Sequence, residues 1–126
     1  MKLVSAGAVV AAAGTIPNFA EAATRLGSGK FSGRSRHVSR GGVEIIQNGR
    51  GVEVVLQDDF FLDGAPDPKV GFGRNGFVPG TLISPLRSLT GRQRYAVPGS
   101  LNVANYNEVY IWCERFAVPL AVAKIG

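Results

Sequence analysis

Glycine and proline interrupt this chain along its whole length, and that spread limits the folds it can adopt. The 126 residues include 17 glycines and 7 prolines, with no fixed period between them. Short strands joined by turns use many such residues, whereas helical bundles avoid them. No segment beyond residue 24 keeps a helical hydrophobic period. The sequence therefore predicts an all-β fold, a compact antiparallel β-sandwich or barrel of about seven to eight short strands.

Length and composition place these strands in one globular domain. Hydrophobic residues make up 45% of the chain and charged residues 18%, which is too apolar a balance for a disordered protein. A chain of this length has room for one core but not for two. We predict a single β domain over residues 24–126.

The start of the chain has the composition of a secretory signal peptide. Lys2 precedes an uncharged apolar run over residues 3–16, and Ala20-Glu21-Ala22 has the small-x-small pattern of a cleavage site. The run is too short to cross a membrane as a helix. We therefore predict that residues 1–23 are a signal peptide and that the mature protein is periplasmic or secreted, with no stable membrane span. A buried N-terminal helix is the alternative.

The chain is basic, with a net charge of +5. Removing residues 1–23 takes away one lysine and one glutamate, so the charge is unchanged. Such a surface can attract nucleic acid, anionic lipid or an acidic redox partner. Export argues against nucleic acid, and a solvated basic face that only aids solubility is the simpler explanation. The arginines form two sequence clusters, one early and one late: Arg34, Arg36 and Arg40, then Arg87, Arg92 and Arg94.

The strongest turn signal is Asn48-Gly49, which lies between apolar runs at 43–47 and 51–57. A two-residue turn at this position predicts a hairpin in which Val43 faces Val54. Four β-branched side chains then share one face of the hairpin.

The other elements follow from the same turn and strand signals. Residues 24–36 are rich in glycine and serine and are predicted to form an N-terminal arm before a first strand near residues 36–39. Phe60-Phe61-Leu62 lies within the acidic loop 58–67, and such an apolar triple predicts a loop that plugs into the core. Further short strands are predicted at 69–73, 77–82 (an edge strand or bulge), 93–97, 109–115 and 119–125.

One uninterrupted strand, over residues 106–116, contains the only cysteine and the only tryptophan of the chain. β-Branched and aromatic residues dominate it, and neither glycine nor proline breaks it. Alternation with a period of two places two sets of side chains on opposite faces: Val109, Ile111 and Cys113 against Tyr110, Trp112 and Glu114.

The lone thiol of Cys113 leaves several roles open. It excludes an internal disulfide, so Cys113 is buried, reactive, bound to a cofactor or paired with another chain. A cysteine on an apolar strand face is most often a core residue. Cys113 and His37, the only histidine, could also form a thiolate–imidazolium pair or ligate a non-covalent haem. The simpler reading of His37 is a strand histidine that caps a backbone group.

The acidic loop 58–67 is the other candidate for ligand binding. Its four carboxylates could supply oxygen ligands to calcium if the loop made them converge. Asx turns explain aspartates next to glycine or proline without any metal.

Several short motifs follow one another in a characteristic order. They are Gly29-Lys30-Phe31, His37-Val38-Ser39 with Gly42-Val43, Asp59-Phe60, Gly64-Ala65-Pro66-Asp67-Pro68, Gly91-Arg92-Gln93-Arg94-Tyr95-Ala96-Val97-Pro98 and Tyr106 to Phe116. In this order they resemble the DM-thirteen domain, an electron-transfer domain of animal cell-surface proteins that also occurs alone in exported bacterial proteins. The resemblance covers residues 29–125, and its last two blocks are specific.

The resemblance implies an exported redox domain whose characteristic cysteine is Cys113, acting as a redox thiol or as the ligand of a prosthetic group such as haem. His37 is then a candidate second ligand, and Trp112, Tyr110, Tyr95 and Asp67 are candidate supporting residues. The inserted Ala65 departs from the family's Gly-Pro-Asp pattern and puts the role of Asp67 in question.

A redox partner protein or a cell-surface protein is the implied partner. The alternative is a non-catalytic extracytoplasmic binding or adhesion module whose cysteine is structural.

Overall fold

Ten strands joined by tight turns make up residues 23–126, the part of the chain that this computed structural model describes. The predicted signal peptide lies outside these residues, apart from Ala23. No helix among the described residues has the length and apolar character needed to cross a membrane. The strands are β1 (Thr24–Gly33), β2 (Ser39–Arg40), β3 (Gly42–Asn48), β4 (Gly51–Leu56), β5 (Phe61–Leu62), β6 (Pro68–Gly73), β7 (Ser84–Pro85), β8 (Gln93–Ala96), β9 (Glu108–Cys113) and β10 (Val118–Lys124).

Eight of these strands form one antiparallel sheet that curls into a nearly closed barrel. Their order is β7-β6-β9-β10-β1-β3-β4-β8, while β2 and β5 form a separate two-stranded ribbon. The prediction of an all-β barrel or sandwich is confirmed. Because β1 pairs with both β10 and β3, the first and last strands of the domain lie side by side.

The core fills the inside of the barrel with alternate side chains from the strands. The acidic loop adds Phe60 and Leu62, which are 2% and 1% exposed, so the predicted plug is confirmed. The Phe60 ring meets the Phe31 ring edge to face, with 5.4 Å between the ring centroids. A loop segment and a central strand therefore share one core.

The predicted N-terminal arm is wrong, because residues 24–33 form β1 at the centre of the sheet. A Cβ atom on Gly29 would collide with the carbonyl oxygen of Lys124, and one on Gly33 with the carbonyl oxygen of His37. Glycine disfavours a strand in isolation, and here it is required by the close approach of neighbouring backbone. Local composition cannot reveal that approach.

The β3–β4 hairpin exists, but its predicted register is wrong by two residues. Asn48 pairs with Gly51, so Gly49-Arg50 is the turn, and Val43 lies opposite Leu56. The Asn48 side chain accepts a hydrogen bond from the Arg50 backbone N–H at 2.8 Å, which places Asn48 before the turn and not within it. A shift of two residues keeps the same side chains facing inward, so the predicted apolar face survives.

The predicted strand at 77–82 is also wrong, since only an isolated bridge joins Phe77 to Gly73. The hydroxyl of Thr81 accepts a hydrogen bond from the Phe72 N–H at 3.0 Å and lies 2.9 Å from the Phe72 carbonyl oxygen. It therefore occupies the backbone groups that a paired strand would use, and β7 pairs with β6 instead.

We expect Gly29→Ala to destabilise the domain by about 1–3 kcal/mol, because the new methyl group overlaps backbone that cannot rotate away. Gly99→Ala is the matched control, since no atom lies within 4 Å of a Cβ at that position. Urea unfolding of the two variants measures the difference. Equal stability of the two would show that β1 and β10 do not approach as closely as described.

Candidate functional site

Cys113 ends β9, and its side chain lies in the core with 1% of its surface exposed. Val109, Ile111 and Cys113 belong to the core cluster, whereas Tyr110 and Trp112 do not, so the predicted inward face is confirmed. Cys113 lies opposite Pro68 of β6 and Val118 of β10. Neighbouring strands therefore flank the backbone of Cys113 on both sides, and the core encloses its side chain.

The structure does not bring Cys113 and His37 together. Within residues 23–126 the Cys113 sulfur takes part in no hydrogen bond, and the residue belongs to the apolar core cluster. The Nδ1 atom of His37 lies 2.9 Å from a carboxylate oxygen of Asp63, and the His37 N–H donates to the carbonyl oxygen of Arg34 at 2.9 Å. His37 therefore secures a loop instead of activating the thiol.

A haem does not fit at Cys113. Axial ligation requires a sulfur that faces a space large enough for the macrocycle, whereas this side chain is closely surrounded by the core. The largest surface cavity described, about 590 Å³, lies around Leu26, Arg50 and Leu101. Neither Cys113 nor His37 lines it, and the two smaller cavities described also lack them.

The outer face of β9 carries an aromatic cluster that we define as Phe77, Tyr110 and Trp112. The rings of Phe77 and Trp112 are stacked, with centroids 3.9 Å apart and planes 8° from parallel. Tyr110 meets both of these rings edge-on, at 5.8 and 6.3 Å. Trp112 and Phe77 are partly exposed. The sequence predicts Tyr110 and Trp112 as supporting residues but places Phe77 in an edge strand. Phe77 is missed because a ring that folds back across β6 leaves no periodic signal.

Two charged residues, Glu108 and Arg34, lie near Tyr110 of this aromatic cluster. Burial raises the pKa of Tyr110, the Glu108 carboxylate raises it further, and the positive charge of Arg34 opposes the shift. Glu108 is 6% exposed and accepts a hydrogen bond from the Gly76 N–H at 2.8 Å. That bond satisfies a buried carboxylate, which would otherwise be costly. The Arg34 guanidinium donates to the Ser32 hydroxyl at 2.9 Å. Ser32 lies opposite Val122 of β10, and Val122 lies opposite Tyr110 of β9.

Tyr95 lies on β8, inside the barrel, and is 1% exposed. Its hydroxyl accepts a hydrogen bond from the Arg87 N–H at 2.9 Å and donates one to the Gln93 side chain. Burial raises the pKa of Tyr95. These contacts make Tyr95 a core residue that holds the loop before β8, and they do not join it to Cys113.

Asp67 lies at the end of the sheet where β6 begins and β9 ends. Its carboxylate lies 3.3 Å from the ammonium of Lys69, which also binds Glu114. The Glu114 carboxylate, and then Asp67, raise the pKa of Lys69. The Asp67 carbonyl oxygen also accepts a hydrogen bond from the Glu114 N–H at 3.1 Å. Asp67 therefore fixes the chain next to Cys113 without touching the thiol.

The carboxylates of the acidic loop do not converge. In the described part of the chain, no group of three or more His, Cys, Asp or Glu side chains is placed to hold a metal ion. Each carboxylate has a different partner: Asp58 lies near Arg92, Asp59 accepts from the Gly42 N–H, Asp63 binds His37, and Asp67 binds Lys69.

Residues 30–125 match the family model described as Electron transfer DM13. The match spans more than half of the chain and contains Cys113, His37 and the whole aromatic cluster. The chain belongs to the DM13 electron-transfer family. Comparisons with curated proteins and with solved structures gave no significant match. Membership of this family supports a role in electron transfer. It does not identify the residue that carries the electron.

We expect the Asp63 contacts to stabilise the DM13 domain at neutral pH and to fail in acid. The N–H of Val38, and then the His37 ring, hold the pKa of Asp63 below its ordinary value of 3.8. A carboxylate with a lowered pKa contributes stability above that ordinary value and loses it as the pH falls through the folded-state value. We would measure the free energy of unfolding in urea at neutral pH and again below pH 3.8. The decrease between the two pH values should be smaller for Asp63→Asn than for the wild type.

Asp58→Asn is the control for this experiment, because the Asp58 side chain is 86% exposed. Its acid sensitivity should match that of the wild type. Parallel curves for all three proteins would contradict the role assigned to Asp63.

Proposed function

We propose that this chain is an exported electron-transfer domain in which Cys113 is the redox group. Membership of the DM13 family supports electron transfer. The observation that carries the site is the position of Cys113 directly after Trp112, a partly exposed residue whose ring is stacked on Phe77 at the outer face of β9. The packed aromatic cluster therefore lies between solvent and the strand that holds the thiol, where it can serve as the route for the electron.

Burial of the thiol determines which redox chemistry is open to it. Disulfide exchange needs direct attack on an accessible sulfur, and 1% exposure prevents that attack in this conformation. A one-electron exchange needs no covalent contact with the partner. In this proposal the Cys113 S–H gives one electron to the oxidised one-electron cofactor of a partner protein and one proton to water that reaches the sulfur when the core opens locally. A thiyl radical is left on Cys113, and the reverse step restores the thiol.

The oxidant and reductant come from the partner protein, whose cofactor is of the haem or iron–sulfur class. The domain itself needs no haem at Cys113, because the core leaves no space for one there. A redox partner or a cell-surface protein is consistent with the family.

Export of the chain is part of the proposal. It is supported by the order of Lys2, the apolar run 3–16 and the Ala20-Glu21-Ala22 pattern. Amino-terminal sequencing of the protein recovered from the periplasm or medium of a bacterial host should find a new start close to Thr24. Recovery of the uncleaved chain from the cytoplasm would overturn this part.

A second function, a binding or adhesion module with a structural cysteine, is favoured by a different observation. The Cys113 sulfur lies in an apolar core and has no hydrogen-bond partner among residues 23–126. Small buried cysteines often serve only to fill such space.

Protein-film voltammetry of the mature protein should separate the two functions. We expect the wild type to give a reversible one-electron signal, Cys113→Ala to lose it, and Trp112→Phe to keep it with slower electron exchange. Each variant is first shown to be folded by circular dichroism and thermal unfolding, since Cys113→Ala leaves a small core cavity.

A folded wild type without a signal, or a signal unchanged in Cys113→Ala, would favour the binding module. Alkylation of the native thiol provides the check on burial. It should be about a thousandfold slower than alkylation in urea, because the native thiol reacts only after opening.

A further inference from the structure

The acidic side chains in residues 23–126 all have partners within the domain. Six carboxylates lie within 4 Å of a basic side chain, and the other two, Asp59 and Glu108, accept backbone N–H groups. The paired acids are Glu44 with Arg25, Glu53 with Arg94, Asp58 with Arg92, Asp63 with His37, and both Asp67 and Glu114 with Lys69.

The surplus positive charge therefore belongs to basic residues that have no carboxylate partner in the described part of the chain. Three of these residues, Arg34, Arg36 and Arg115, lie in two adjacent turns at the end of the barrel where β9 ends. The hydrogen bond from the Arg34 N–H to the Leu120 carbonyl oxygen, 2.9 Å, joins the turn after β1 to β10, the strand that follows the other turn. This charge is available to a partner.

The loop after β1 holds its arginines in a fixed conformation. Ser35 and Arg36 both have positive φ angles, 55° and 67°, which non-glycine residues adopt only when surrounding contacts impose them. The Ser35 hydroxyl donates to the Pro119 carbonyl oxygen at 2.6 Å, and the His37 N–H donates to the Arg34 carbonyl oxygen at 2.9 Å. The backbone positions of Arg34 and Arg36 are therefore fixed.

These arginines lie beside the aromatic cluster. Pro119, which binds Ser35, is the β10 residue opposite Trp112. Arg115 and Phe116 follow Cys113 in the β9–β10 turn, and 61% of the Phe116 surface is exposed. We define the basic aromatic face as Arg34, Arg36, Trp112, Arg115 and Phe116.

We propose that the basic aromatic face binds an acidic electron-carrier protein. The carboxylates of such a partner would meet the arginines, and its apolar centre would contact Trp112 and Phe116. This inference rests on the proposed electron-transfer function for the identity of the partner, and it places that partner's cofactor against the strand that carries Cys113.

The charges at this end of the barrel favour a protein over an anionic membrane. Asp63, Asp67 and Glu114 lie at the same end, paired with His37 and Lys69. A uniformly anionic surface would approach these carboxylates as well as the arginines. A protein can place its own carboxylates against the arginines alone, which makes the match selective.

Trp112 provides the readout, because it is the only tryptophan of the chain. We would titrate the mature protein, recovered from the exported full-length chain, with a plant-type ferredoxin as the acidic carrier and follow Trp112 fluorescence, corrected for ferredoxin absorption, at low ionic strength. The expected result is quenching that saturates and weakens with added salt.

Charge reversal tests the face itself. Arg34→Glu with Arg36→Glu should weaken ferredoxin binding about tenfold or more. Arg50→Glu with Arg74→Glu changes the net charge equally and should weaken it less than about twofold. Arg50 lies at the opposite end of β1 from Arg34, about 30 Å away, and Arg74 follows Gly73, which pairs with Glu108 at the end of β9 opposite Cys113. If the first pair does not fold, Arg115→Glu is compared with Arg50→Glu.

Several outcomes would overturn the inference. One is an equal loss of ferredoxin affinity in the Arg34/Arg36 and Arg50/Arg74 charge-reversal variants. Another is no quenching of Trp112 by ferredoxin. A third is binding to phosphatidylglycerol vesicles that depends on Arg34 and Arg36 while ferredoxin does not bind. A Cys113-dependent voltammetric signal without ferredoxin binding would reject this face and leave the proposed function standing. Ferredoxin binding that charge reversal abolishes, in a protein without that signal, would reject the redox role of Cys113 and retain the face.

Discussion

The barrel depends on the pairing of β1 with β10 on one side and β3 on the other. This pairing joins the two halves of the sheet, and it brings the first strand of the domain against the last. The pairing requires a close backbone approach at Gly29, where a Cβ atom would overlap the Lys124 carbonyl oxygen of β10. Gly33, at the end of β1, leaves room in the same way for the loop at His37. Without this strand, β10 and β3 would each have an unpaired edge.

Closure of the barrel has a direct consequence for Cys113. Because β6 and β10 flank β9, the inward face of β9 is fully enclosed and the thiol becomes part of the core. The outer face of the same strand is covered by Phe77, which stacks on Trp112. One strand therefore holds a protected redox-capable atom on one face and a partly exposed aromatic surface on the other.

The acidic and the basic residues also have different roles. The carboxylates secure loops and strand ends, as Asp63 does through His37 and Asp67 through Lys69. The arginines that have no carboxylate partner among residues 23–126 give the domain its positive surface. His37 and Asp67, which the sequence predicts as site residues, therefore stabilise the end of the barrel at which Cys113 lies. They do not contact its sulfur.

Local sequence was enough to determine the fold class and the faces of β9. Glycine and proline spacing excluded long helices, and alternation placed Cys113 inward, because both properties depend on residues close together in the chain. Only the tertiary structure decided the role of the Gly-rich segment 24–33, the partner of His37 and the stacking of Phe77 on Trp112. Each of these depends on residues distant in sequence that meet when the sheet closes, and no local pattern records which backbone or ring will be the neighbour.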